Sequence, residues 1–336
     1  MSQGLTWTVY DANTMSQAEI YGQVLCDLGE QNDKIVGLSA DLANSTKIGK
    51  FGEQFPDRFF NVGIAEQNLF GVAAGLAKSG LTPFVSTMAV FASMRAAEQI
   101  RTDISYQNLD CKIIATHGGI SFGAAGTTHH CTEDIAIMRS FANMTVIVPA
   151  DGLEMANAVK ACVDHPGPVY IRIGRGFEPT YYEKEDYGFE IGKAVNICDG
   201  TDLTIICCGV CVLQAAEAAR YLKENDDLSV RVINIHTLKP LDEEAILKAV
   251  TDTRRIVTVE EHNIHGGLGS AVADVIAKSG KGCAFHKIGI PDCFCEVGYP
   301  EDLYSHYKLD ADGIISVVRD VMGKDFEDDD DWEDEV

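Results

Sequence analysis

Glu66 lies in the string Asn61-Val-Gly-Ile-Ala-Glu-Gln-Asn68, at the head of the apolar run Leu69-Phe-Gly-Val-Ala-Ala-Gly-Leu-Ala77. The pattern predicts a short strand over 58–62 and a helix over 66–79. Glu66 then occupies the first helical turn, where a carboxylate complements the unpaired amides and the positive end of the dipole. Capping alone would explain a Glu there, and a catalytic role needs converging partners. Asp41, His117 and Arg175 each also follow a predicted strand. In parallel α/β sheets, ligands bind beyond the carboxyl ends of the strands. An imidazole can move a proton near neutral pH. A guanidinium grips an oxyanion with two parallel donors, although a surface ion pair would also account for Arg175, and Arg172 is easily confused with it.

These residues need a scaffold, and the first ~175 residues alternate short apolar runs with helical patterns, as expected for a parallel sheet flanked by helices. Strands are predicted over 34–39, 58–62, 82–86, 112–116, 145–148 and 169–173, and helices over 16–30, 66–79, 91–105, 132–141 and 152–164. A polar, Tyr- and Glu-rich stretch over 177–194 reads as a linker. A second α/β unit over 195–322 follows, with strands near 203–208, 230–235, 255–260 and 285–290 and helices over 271–278 and 311–322. The fold class is therefore α/β, with two domains (1–176 and 195–322) of mainly parallel sheets. The run Glu327-Asp-Asp-Asp-Asp-Trp-Glu-Asp-Glu-Val336 is a like-charge block, so 323–336 is expected to be a disordered solubilising tail or a segment docking on a basic partner.

A formal charge of -24 disfavours nucleic acid and anionic membranes as partners. No run approaches a membrane span, and the N-terminus lacks a basic stretch and an apolar leader, so a cytoplasmic protein is expected. The 11 cysteines mostly sit in apolar runs and read as reduced, buried thiols. Cys207-Cys208-x-x-Cys211 and Cys293-Phe-Cys295 lack a second pair at zinc spacing, so no metal ligand is assigned within the chain. The turn Gly266-Gly-Leu-Gly269 does not match a dinucleotide fingerprint and reads as tight strand-to-helix packing.

The Ile-Ala-Glu-Gln-Asn string, the loop Gly123-Ala-Ala-Gly-Thr-Thr-His-His130 and Asp41-Leu-Ala-Asn-Ser45 resemble the transketolase family over about residues 16–322. The resemblance implies thiamine diphosphate as cofactor, with Glu66 touching its aminopyrimidine, Phe91 lining the ring, Met88 replacing a second aromatic and Asp41 nearby. It further implies His129 over the reacting substrate as a catalytic residue and His117 near the substrate oxygens, with Arg175 and Ser45 at the substrate phosphate. His130 is left without a role. The family's loop aspartate is replaced by Ala125, and an expected phosphate-binding arginine by Ala18, so unusual sugars or related anions are expected as substrates.

A metal-binding Gly-Asp-Gly motif with its downstream Asn is also absent. The nearest string, Cys198-Asp-Gly200, is read as opening a strand. The resemblance thus implies the C-terminal subunit of a split transketolase, moving a two-carbon ketol unit from a ketose to an aldose. Mg2+ (or Ca2+ or Mn2+) and the cofactor diphosphate would be held by an N-terminal partner subunit in an α2β2 assembly. Alternatives are the beta subunit of a 2-oxoacid dehydrogenase, a 1-deoxyxylulose 5-phosphate synthase, or a noncatalytic scaffolding subunit.

Overall fold

A computed structural model describes residues 16–176, 178, 180–184 and 186–323. The first unit contains α1 (Gln17–Gln31), β1 (Ile35–Ser39), α2 (Gly49–Gln54), β2 (Phe59–Asn61), α3 (Glu66–Lys78), β3 (Thr82–Met88), β4 (Lys112–Thr116), α4 (Asp134–Ser140), β5 (Thr145–Ile147), α5 (Gly152–Asp164) and β6 (Val169–Arg172). The second contains β7 (Val195–Cys198), β8 (Leu203–Cys207), α6 (Cys211–Asp226), β9 (Val230–Asn234), β10 (Thr237–Lys239), α7 (Glu243–Thr253), β11 (Arg255–Asn263), α8 (Leu268–Ser279), β12 (Ala284–Ile290), α9 (Pro300–His306) and α10 (Ala311–Met322).

Every residue of β1, β3, β4 and β8 is buried, which is why these strands read as continuous apolar runs covered by helices on both faces. Helix starts are fixed locally. Ser16 and Glu19 form a reciprocal capping box on α1, and Asp151 and Asp310 accept the Glu154 and Gly313 amides at the heads of α5 and α10.

The strand order is β10-β5-β6-β4-β3-β1-β2 in the seven-stranded sheet and β12-β11-β8-β9-β7 in the five-stranded one. All pairings are parallel except β10 with β5 and β7 with β9. β10 arises within the second unit yet closes the edge of the first sheet, so the halves are stitched by backbone pairing. One core cluster accordingly mixes Met155 and Ile171 with Ile205, Val212 and Leu303.

Several expectations are corrected. The segment 91–105 is not a uniform α-helix: π-helical turns Phe91–Arg95 and Ile100–Ser105 flank the single α turn Ala97–Gln99. Cys198 closes β7 rather than opening a strand, and Gly200 turns the chain beside Val230, where a Cβ would lie 2.2 Å from main-chain atoms. α8 starts three residues earlier than the periodicity indicates, because Glu260 caps it by accepting the Leu268 and Gly269 amides. Between 177 and 194, the described residues form a packed strap. Asp151 accepts the Tyr181 and Tyr182 amides, Tyr187 donates to Glu154, and the Tyr182 and Tyr187 rings stack at 3.8 Å. The expected acidic tail lies outside the described residues apart from Gly323.

Candidate active site

Glu66 is the first residue of α3, and its side chain is only 1% exposed. Burying a carboxylate demands a partner, supplied by Arg95, whose Nη1 donates to Glu66 Oε2 at 2.7 Å. The wide turn at Phe91–Arg95 leaves this guanidinium 4.3 Å from the centre of the Phe91 ring. From Phe91 the contacts continue through the His129 ring at 5.6 Å and the Phe122 ring at 5.5 Å. Phe122 in turn meets His117 edge-on at 5.0 Å and carries the Arg175 guanidinium at 4.2 Å. A single row of touching side chains thus runs from Glu66 to Arg175.

Strand ends position the row. Beyond β4 and β6, His117 donates its main-chain N–H to Gly174 and Gly118 to Ile173, which aligns His117 with Arg175. His117 itself has φ of 60°, a conformation non-glycine residues seldom adopt outside turns and functional sites. Its Nδ1 lies 2.8 Å from Thr116 Oγ1. Burial, reinforced by Arg175 and then His129, pushes the imidazole down to about 4, so it is neutral at physiological pH. Met88, the buried last residue of β3, pairs in register with Thr116. His129 is half-buried, and its main chain is turned by Gly126 at φ of 71°.

The other candidates lie at the margin. Asp41, exposed with φ of 61°, is tied to the turn before Glu66 by Asn61, whose Oδ1 accepts the Asp41 and Gly63 amides. Ser45 is exposed between β1 and α2 and makes no hydrogen bond to the other candidates among the described residues. Arg172 is buried, with Nε 3.3 Å from Asp134 and Nη1 3.4 Å from Glu261, which separates it from the exposed Arg175. Ala18 packs in the core at 3% exposure, so an alanine there is a packed side chain rather than a gap in the site. Ala125 ends the short 3-10 turn Gly123–Ala125 beside the row.

Sequence reasoning missed Arg95, Phe122 and Asn61. The four-residue spacing of Phe91 and Arg95 on one helical face was the available signal for the first. His130, buried behind the row, places Nε2 3.2 Å from the Gly123 carbonyl and so braces the loop. No three or more His, Cys, Asp or Glu side chains converge as metal ligands among the described residues. No helix of the described residues is long and apolar enough to cross a membrane.

Residues 13–177 match the transketolase pyrimidine binding domain, and residues 192–314 match the transketolase C-terminal domain. A putative transketolase C-terminal section of Methanocaldococcus jannaschii is 44% identical over 90% of this chain and 95% of its own length. One subunit of the apulose-4-phosphate transketolase of Phocaeicola vulgatus is 38% identical over 93% of this chain and 99% of its own. A solved structure described as an inactive beta4 tetramer of a split-gene transketolase superposes with a TM-score of 0.85 at 43% identity, covering 92% of this chain and 98% of that one. Both domains, the two-sheet architecture and relatives matched over nearly their whole length place this chain in the transketolase family, as the C-terminal subunit of the split kind.

Proposed function

We propose that this chain supplies the pyrimidine side of a thiamine diphosphate site and works only with a partner that carries the diphosphate-binding domain, in an α2β2 assembly. The supporting observation is the unbroken row from buried Glu66 to Arg175, which sets a carboxylate, an aromatic wall, two imidazoles and a guanidinium in sequence. The residues suit the group. A buried carboxylate joined through Arg95 to the Phe91 ring, which packs on the same core cluster as Met88, matches a flat heteroaromatic ring with one protonatable nitrogen. Arg95, half-exposed on a flexible side chain, is placed to swing aside from Glu66 or to keep hold of one oxygen.

Thiamine diphosphate, when bound, supplies the carbanion chemistry that cleaves and forms the carbon–carbon bond. The chain's own residues do the rest. Glu66 would hold the proton at a ring nitrogen of the bound cofactor. Phe91 and Met88 would line the ring, with Asp41 nearby. His129 accepts a hydroxyl proton and returns it, and His117, neutral at pH 7, meets the substrate oxygens beside it. Arg175, with Ser45, holds the terminal anion of the sugar. Mg2+, Ca2+ or Mn2+ would be held by the partner. The domain division proposed is 1–176 and 195–322, and eleven unpaired thiols suit a reducing, cytoplasmic setting.

The substrates proposed are ketose and aldose phosphates, or related anionic sugars, outside the common pair. The apulose-4-phosphate relative and the absence of a hydrogen-bonding side chain at Ala125 both favour this. Reconstituting the chain with its partner and screening phosphorylated ketoses tests the reading. Two-carbon transfer that disappears in Glu66→Gln supports it, whereas transfer that survives the substitution sinks it.

A further inference from the structure

The end of β11 reaches out of the second domain and grips both histidine loops of the first. Glu261 Oε1 accepts the Ile120 N–H at 2.9 Å, three residues after His117. Asn263 donates its N–H to Thr132 O at 2.8 Å, three residues after His129, and His262 Nε2 accepts the Ala136 N–H at 3.3 Å. Between these points Gly119 and Cys131 exchange two main-chain hydrogen bonds of 2.8 Å, which locks the loops to each other.

Glu261 is itself held in place. Arg172 Nη2 donates to its carbonyl at 2.7 Å, Arg172 Nη1 lies 3.4 Å from Oε2, and Tyr304 on α9 donates to Oε1 at 3.0 Å. The loop presses directly on this pair. A Cβ on Gly118 would lie 2.5 Å from Arg172 Nε, and one on Gly119, at φ of +60°, would lie 2.2 Å from Glu261 Cδ. Only glycines bring the backbone that close.

We propose that Glu261, a residue of the C-terminal domain, is a positioning residue that sets the spacing of His117 and His129 through Ile120 and the Gly119–Cys131 bridge. The proposal rests on the roles given to those histidines above. Its physical basis is that a buried, fully partnered carboxylate is stiff, and sub-ångström placement of proton-transferring groups governs rate.

The test compares Glu261→Ala, Glu261→Gln and Tyr304→Phe by two readouts. The first is the NMR titration of the His117 ring in the chain alone, which needs no turnover. The second is kcat and KM in the complex reconstituted with the partner. Glu261→Ala is expected to open the loop to water, so that His117 titrates about one pH unit higher, and to lower kcat/KM roughly ten- to a hundredfold, mainly in kcat.

Glutamine keeps an acceptor for the Ile120 N–H, so Glu261→Gln is expected to restore both readouts to near wild type. Tyr304→Phe removes one hydrogen bond to Glu261 and is expected to move both readouts the same way by less, and it carries the test should Glu261→Ala fail to fold. A lower melting temperature with His117 titrating as in wild type overturns the proposal, as does a glutamine variant no better than alanine or an unaltered Tyr304→Phe. A wild-type complex without ketol transfer would remove the proposed function while leaving the titration result readable.

Discussion

The two ends of the row of site residues are built differently. At the His117 end the chain braces the site from its own second domain: Glu261 and Tyr304 of that domain pack with Arg172 and Asp134 of the first and support the loop from beneath. At the Glu66 end the carboxylate is buried, but its partner Arg95 is half-exposed, and Ile64, two residues before it, is 78% exposed. Phe60 and Met94 are also exposed large apolar side chains on this unit. One end is finished by the fold, and the other presents apolar surface of the kind that proteins use for association.

Substitutions at each end separate these two constructions. The greatest loss is expected at the open end, where Glu66→Gln lowers kcat of the reconstituted enzyme by roughly 10²–10⁴-fold, the range for removing a proton-transferring group, while the chain's melting temperature changes little. Steady-state kinetics and a thermal melt separate the two. At the closed end, Arg172→Met leaves Asp134 and Glu261 as buried charges lacking their shared partner. It should therefore cost about 3–5 kcal/mol of stability, read by denaturant unfolding. On the anion-binding role proposed for it, Arg175→Ala is expected to raise KM for a phosphorylated sugar by the equivalent of about 1.5–3 kcal/mol with stability unaffected.

Acid titration probes the closed end more gently. His117 is held down to about 4, chiefly by burial. The unfolded chain therefore takes up that proton near 6.5, before the folded protein does, and stability from this residue falls as pH drops from 6.5 to 4 and is complete above 6.5. Glu154 has the opposite sign: burial raises it to about 7, so stability falls as pH rises from about 4.5 to 7. Melts of wild type and His117→Asn across pH 4–8 should converge at the acid end, and Glu154→Gln should gain on wild type toward pH 8. The mildest change is expected from Ile64→Ser, which leaves the isolated chain within about 0.5 kcal/mol of wild type while weakening assembly with the partner in light scattering.

Long, locally encoded elements were legible in the sequence. β4, α5 and α10 start and end where the pattern places them, because a buried strand and capped amphipathic helices carry their own signals. β10 was not legible. It is three residues long, and its ladder partner Ile147 lies about ninety residues earlier, so no local pattern marks it. The π turns were hidden for a related reason, since an apolar period near 3.6 does not reveal one wider turn. In the site, residues at strand ends were readable from position and chemistry. Arg95 was marked only by its spacing from Phe91, and Phe122 not at all, because a Phe in a glycine loop looks ordinary until tertiary packing brings it to His117 and Arg175. Glu261 is the extreme case, a strand residue whose role depends on a loop of the other domain.

Completion of the Glu66 end by another polypeptide is open to a direct assay. The chain would be recovered from its native lysate, its stoichiometric companion identified, and two-carbon transfer measured for the chain alone, the companion alone and the two mixed. The expected companion carries Gly-Asp-Gly and a downstream Asn, with activity only in the mixture and saturating at equal stoichiometry. Full turnover by the isolated chain supplied with thiamine diphosphate and Mg2+ would contradict a site shared between two subunits.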